Sequence, residues 1–205
     1  MLRFFFFLTL VCMEVVGMPL SLHAQTQTTF DDFTQTQSSN TTILLIDGQT
    51  LRSIGQSGVA SGSVNFATPD QFSVTGQATS FVTLGYSFSS ARDFTNIILQ
   101  IDTNNVTGNN GTLALTLTDS SSNQQTIIQT LPEPGPSTES FDLSSFSFVN
   151  LSAVTQLSFS FTNPNTNFSL NASDITLTSP VPEPSTCGML LMGGLGVLVA
   201  FRRRR

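Results

Sequence analysis

Between residues 25 and 180 the side chains able to do chemistry are nearly all oxygen-bearing. Eleven carboxylates, from Asp31 to Asp174, stand against two basic residues, Arg52 and Arg92, leaving a net charge of −9 over that span. Lysine is absent throughout, both cysteines (Cys12 and Cys187) lie outside the span, and the single histidine is His23. The usual general bases and thiol nucleophiles are therefore missing. No serine sits in a Gly-x-Ser-x-Gly elbow, and no histidine is at hand to activate one. The carboxylate pairs Asp31 with Asp32 and Glu139 with Asp142 have the residue types of a glycosidase, but neighbouring acids are far more often solvated surface groups. The expectation is a protein that is not an enzyme. A surface this acidic repels phosphate backbones, so no nucleic-acid partner is expected.

Two binding chemistries fit the inventory better. Hard cations take carboxylate and carbonyl oxygens on loops, and Asp102, Asn104 and Asn105 approach a calcium loop. Val106 stands where an EF-hand needs its next oxygen, so that reading fails. Sugar platforms generally use exposed Trp or Tyr. Trp is absent, and Tyr86, the lone Tyr, sits in an alternating strand where burial is the expectation. Six Asn-x-Ser/Thr sequons occur, at Asn40, Asn105, Asn110, Asn150, Asn167 and Asn171. In a chain so rich in Asn, Ser and Thr, chance supplies most of them.

These residues must be positioned by strands. Leu113, Leu115 and Leu117 alternate with Ala114, Thr116 and Thr118, and Leu157, Phe159 and Phe161 alternate with Ser158, Ser160 and Thr162. The sets Leu84, Tyr86, Phe88; Ile97, Leu99, Ile101; and Ile175, Leu177 behave likewise. A period of two marks strands with one buried face. Turn-forming clusters separate them at 102–111, 119–123 and 163–167. Many short strands without an amphipathic helix predict an all-β fold, an antiparallel β-sandwich or jelly roll. One domain is expected within residues 25–180, its core about 28–179. Thirteen phenylalanines in that span suffice to fill the space between two sheets without any disulfide.

The two ends read as targeting devices. Met1-Leu2-Arg3 and the apolar run Phe4–Met13 form a signal peptide, residues 1–24, too short in its apolar part for a dependable span. Leu22-His23-Ala24 places the signal peptidase cut after Ala24, with Val15-Val16-Gly17 as a second candidate. An uncleaved anchor is the competing reading. At the other end, Val181-Pro182-Glu183-Pro184-Ser185-Thr186 precedes an uncharged stretch, residues 187–201, and then Arg202, Arg203, Arg204 and Arg205. The prolines keep the approach extended, and the apolar stretch is expected as a transmembrane helix. The four arginines stay cytoplasmic and fix its direction. Glycines 188, 193, 194 and 196 give that helix a smooth face. A second triplet, Pro132-Glu133-Pro134, has neither an apolar run nor a basic cluster after it and reads as a loop.

The ordered triplet, short glycine-bearing span and terminal arginines of residues 181–205 resemble the PEP-CTERM sorting signal. Its carriers are substrates of exosortases, membrane cysteine proteases or transpeptidases of Gram-negative bacteria that often make exopolysaccharide. The resemblance implies that Pro182, Glu183 and Pro184 are the recognition triplet. It also implies exosortase and signal peptidase as partners, transient residence in the inner membrane, and exopolysaccharide as a further contact. The expected destination is the cell envelope, outer surface or extracellular space. The implied role is a structural or adhesive protein of a biofilm setting, with a carbohydrate-binding module as the alternative and a glycoside hydrolase as the third option. Phe30-Asp31-Asp32-Phe33 and the run from Phe168 to Ile175 also resemble the first and last strands of jelly-roll ectodomains common among such proteins. By that analogy Asp31, Asp32 and Asp174 could meet where the terminal strands pair and hold a structural calcium. Solvated turn acids are the competing reading.

Overall fold

The computed structural model describes residues 25–180 apart from 39, 59, 65–70, 108–110, 132–133 and 164–165. The expected signal peptide, its cut after Ala24, the Pro-Glu-Pro triplet, the 187–201 helix and the arginine cluster lie outside the described residues. Thr26–Ser179 form one compact unit. Among the described residues no helix is long and apolar enough to cross a membrane.

Twelve strands make up the unit: β1 (Gln25–Asp31), β2 (Thr41–Leu44), β3 (Thr50–Ser57), β4 (Ala60–Val64), β5 (Phe72–Gly76), β6 (Phe81–Arg92), β7 (Ile98–Thr107), β8 (Thr112–Asp119), β9 (Gln124–Thr130), β10 (Gly135–Asp142), β11 (Val154–Thr162) and β12 (Phe168–Pro180). They form two six-stranded sheets. The first runs β10-β7-β12-β5-β4, with β1 also paired to β12; the second runs β2-β3-β6-β11-β8-β9. Along these two paths neighbours pair antiparallel, and the chain crosses repeatedly from one sheet to the other. The expected all-β sandwich is thus the observed one.

The alternation that marked the strands is what closes the core. On β8, Leu113, Leu115 and Leu117 are buried, while on β11 Leu157, Phe159 and Phe161 are. Val82, Leu84, Tyr86 and Phe88 of β6 complete the inner face of the second sheet, opposite Leu99 and Ile101 of β7 and Phe72 and Val74 of β5. Among the described residues nine phenylalanines are buried in this space. Neighbouring rings, such as Phe72 with Phe161 at 5.7 Å and Phe141 with Phe159 at 6.3 Å between centroids, interlock across the sheets. At roughly 1.5–3 kcal/mol per buried side chain, this layer is the main favourable term in a span, residues 25–180, that contains no cysteine. Phe81 and Phe148 are not part of it and stand exposed.

Two sequence expectations shift. The cluster at 102–111, read as a turn, is strand as far as Thr107. Asn104 lies opposite Pro136 on one side and Asn171 on the other, and pairing on both flanks outweighs the turn preference of Asp and Asn. Ile97 precedes β7 rather than joining it. The turn between β8 and β9 falls where expected; Asp119 accepts from the backbone N–H of Ser121 and Asn123 at 2.8 and 3.0 Å. Asp47-Gly48, with Gly48 at φ +66°, turns the chain from β2 into β3.

Gly62 marks where the sheets come closest to the chain. A Cβ there would meet Val82 Cγ1 at 2.5 Å and Ile54 Cγ2 and Phe72 Cζ at 3.2 Å. Gly62→Ala is expected to cost about 1–3 kcal/mol through overpacking. Thermal unfolding followed by circular dichroism should show the midpoint falling by several degrees with the strand spectrum retained.

Candidate functional site

On the first sheet, β7 has neighbours on both sides, and β12 bulges against it: Ala172 pairs with Thr103 but Ile175 with Ile101. Three residues of β12 therefore span two of β7. Such a bulge bends the strand and re-aims its side chains, and it lies next to Asn171 and Ser173, which share one face of β12. The result is an open depression of about 510 Å³. Asp102 and Asn104 of β7, Pro136 and Thr138 of β10, and Asn171 and Ser173 of β12 line it, with Gln71 at the entrance to β5.

Its walls are hydroxyls and amides held on strands, with Asp102 as the one charged residue among those lining it. Thr138 Oγ1 donates to Asp102 Oδ1 at 2.6 Å, which fixes the carboxylate in line with the strand pairing of Thr138 and Asp102. Just beneath, Thr103 and Ser137 share a hydroxyl contact of 2.9 Å. Further along the same sheet, Gln100 Nε2 donates to Ser140 Oγ at 3.1 Å and Thr178 Oγ1 donates to Gln100 Oε1 at 3.3 Å. The surface offers both donors and acceptors at fixed spacing, which suits a polyhydroxylated ligand.

Asp31, Asp32 and Asp174, which the family analogy would gather around calcium, each have a distinct place in the structure. Asp31 is buried, at 6% exposure. Its carboxylate accepts from Arg52 Nη1 at 2.9 and 2.8 Å, from the Tyr86 hydroxyl at 2.8 Å and from the Phe33 backbone N–H at 2.9 Å. Asp32 caps the following turn by accepting from the Thr34 N–H and hydroxyl. Asp174 lies in the β12 bulge, on the first sheet. Among the described residues no group of three or more His, Cys, Asp or Glu is assembled to hold a metal ion. Glu139 and Asp142 also have separate tasks: Glu139 accepts from Ser137, and Asp142 caps a short helical turn through the Ser144 N–H.

Tyr86 is no sugar platform, being 1% exposed. Burial, reinforced by the Asp31 charge, raises its phenol well above the ordinary tyrosine range, so it remains a hydrogen-bond donor. Arg52 is fully buried; besides Asp31 it donates from Nε to Gln37 Oε1 at 2.8 Å and from Nη2 to the Gln35 carbonyl. Sequence reading passed over this arginine, though a signal was present. It occupies the inward row of β3, between Thr50 and Ile54, both buried. Gln71, Thr138, Asn171 and Ser173 were also missed. Nothing in a lone sequence reports that a bulge gathers them around Asp102.

Residues 180–205 match the PEP-CTERM protein-sorting motif. The chain carries that sorting motif. The match starts one residue before the boundary expected from the Pro-Glu-Pro triplet, and a PEP-CTERM motif marks an exported protein processed at the membrane, handled by an exosortase. No curated protein matches the sequence. Among solved structures, an agarase, AgWH50C, superposes with a TM-score of 0.54 at 10% identity over 75% of this PEP-CTERM chain. This chain spans 26% of that agarase; the likeness concerns the fold alone. A family 11 carbohydrate-binding module from Clostridium thermocellum, in complex with a β-1,3-1,4-mixed-linked tetrasaccharide, gives 0.47 at 14% identity over 77% of this chain and 98% of its own. A family 29 module complexed with mannohexaose gives 0.49 at 11% identity, over 77% and 94%.

Acid behaviour follows from the capped carboxylates. The Asn150 backbone N–H, then the Asn123 amide, hold the Asp119 carboxyl down to about 2. At Asp47 partial burial works upward but is outweighed by donors from Thr50, Gln49 and Arg92, so it too titrates below the usual range. A carboxylate depressed on folding adds stability that is complete above its unfolded value of about 3.9 and disappears as pH falls toward its folded value. Denaturant midpoints are therefore expected to hold down to about pH 4 and to drop between about pH 4 and 2. In Asp119→Asn that drop should be shallower.

Proposed function

We propose that the chain is a non-enzymatic protein of the cell envelope or extracellular matrix of a Gram-negative bacterium. Exosortase releases it from the inner membrane, and its sandwich holds exopolysaccharide through the depression around Asp102. The sorting motif supports the exported destination. The observation that carries the ligand class is the wall of strand-borne hydroxyls and amides, with donors and acceptors interleaved and Pro136 supplying a small apolar surface.

The charge balance narrows the ligand further. With Asp102 in the depression and −9 over residues 25–180, a polyanionic glycan would be repelled, so the reading favours a neutral polysaccharide. Direct contacts from Asn104, Asn171 and Thr138 would pair with sugar hydroxyls; each such bond adds only about 0.5–1.5 kcal/mol net. Without an aromatic platform, affinity would come from repetition along a polymer rather than from one tight subsite. The absence of His, Cys and Lys from the span supports holding rather than turnover.

Affinity electrophoresis against neutral polysaccharides and one polyanionic polysaccharide tests this. Retardation by a neutral polymer is expected, weakened about thirtyfold in an Asp102→Ala, Asn171→Ala double variant by loss of two contacts worth about 1 kcal/mol each. Retardation unchanged in that variant, or binding by none of the polymers, would remove the depression as the site.

A further inference from the structure

A sheet edge is a row of unpaired backbone donors and acceptors, and proteins usually blunt it with charge, proline, bulges or shortness. Of the strands that end the two hydrogen-bonded paths, β10, β4 and β2 are blunted, while β1, which pairs with β12 off the first path, is a further edge tied down at its end by the buried Asp31–Arg52 pair. β10 carries Pro136, Glu139 and Asp142. β4 has five residues and contains Gly62. β2 has four, and the segment before it reaches across: Gln37 Nε2 donates to the Thr41 carbonyl at 2.8 Å, and the Ile46 N–H donates to Gln35 Oε1 at 3.2 Å.

β9 has none of these guards. It is Gln-Gln-Thr-Ile-Ile-Gln-Thr, seven residues without charge, proline or glycine, and among the described residues it pairs with β8 alone. No charged residue lies between Asp119 and Glu133. Composition of this kind, with high strand propensity and no charge, is the signature of a segment that pairs with its own copies. Ile128 is 65% exposed on this strand, and Phe148, 77% exposed, sits beside it with its N–H donated to Gln125 Oε1 at 2.9 Å. In a span that carries −9, two copies meeting at this edge bring no like charges of their own strands together.

We propose that β9 is a self-association edge. It pairs antiparallel with β9 of a second copy about a two-fold axis and joins two six-stranded sheets into one of twelve. Centring the pairing on Ile127 sets Thr126 opposite Ile128, Gln125 opposite Gln129 and Gln124 opposite Thr130, with no like charges facing one another. The register also answers a local deficiency. Gln129 donates from Nε2 to the Ser140 carbonyl at 2.6 Å, while its Oε1 is buried without a hydrogen-bond partner. Opposite it stands Gln125 of the other copy, whose Nε2 gives one hydrogen to its own Ser145 carbonyl at 3.2 Å and has a second to donate. Seven paired residues bury less than a standard interface, so the dimer is concentration-dependent. Copies crowded on one surface would form it far more readily than dilute ones.

The register makes the test specific. In the full chain in mild detergent, Thr126→Lys with Ile128→Lys sets lysine against lysine at two places, whereas Thr126→Lys with Ile128→Glu sets lysine against glutamate at both. Sedimentation velocity over a concentration series is expected to show reversible dimerisation. The Lys/Lys variant should weaken it about tenfold or more, and the Lys/Glu variant should restore it. Ile46→Lys, 83% exposed on the native side chain at the opposite edge of the same sheet, should leave it unchanged. Circular dichroism checks that each variant keeps the native fold. A wild-type chain that stays monomeric, a Lys/Lys variant as dimeric as wild type, or a Lys/Glu variant no better than Lys/Lys would each overturn the proposal.

Discussion

The structure depends on one buried ion pair. Asp31 ends the strand that joins the first sheet, while Arg52 and Tyr86 stand on β3 and β6 of the second. Arg52 Nη1 reaches Asp31 Oδ2 at 2.8 Å with both side chains out of water, and Tyr86 donates to the same carboxylate oxygen. In a sandwich with no cysteine between residues 25 and 180, this contact is a non-covalent cross-link between the sheets. It also organises the segment that follows β1. Gln35 and Gln37 receive the other guanidinium donors, Gln37 returns a bond to the Arg52 carbonyl at 3.1 Å, and the Phe33 ring lies 5.7 Å from the guanidinium carbon. A buried pair gains little over an apolar replacement, but removing one partner strands a charge and costs about 3–5 kcal/mol. Its contribution is therefore to specify one threading of the N-terminal segment among many.

With that segment locked, the two sheets divide the work. Inner faces hold the phenylalanine layer, and outer faces are free to be polar. On the first sheet a bulge in β12 converts a regular ladder into the depression around Asp102. On the second sheet the outer surface is built of small hydroxylated and glycine positions, with Ser53, Gly85, Ser158 and Thr116 following one another across the strands. Function is thus carried by departures from regularity on a scaffold whose regular part is only a core.

Much of this scaffold was legible in the residues. Leu113, Leu115 and Leu117, and Leu157, Phe159 and Phe161, alternate so cleanly that strand identity and buried face could be assigned together, because the side-chain period of a strand is two. Turn chemistry marked the β8–β9 junction at Asp119–Asn123. Harder to read was anything set by pairing across sheets. Asp102 and Asn104 have turn-forming side chains yet sit in a strand because β10 pairs with both and β12 pairs with Asn104 on the other flank. Asp31 looked like half of a surface acid pair; its partner is twenty-one residues away and reached only when β1 and β3 face each other. Distant pairing of this kind leaves no local periodicity to find. The sorting tail was the converse case, since Pro182-Glu183-Pro184, an apolar run and four arginines are contiguous and carry their meaning in order.

The claim that the Asp31–Arg52 pair locks the N-terminal segment to the sandwich is tested most directly by native-state hydrogen exchange on an Arg52→Met chain. The account expects amides of residues 26–38 to lose protection by orders of magnitude while those of β6, β8 and β11 stay slow. Equal protection of both sets, unchanged from the parent chain, would contradict it.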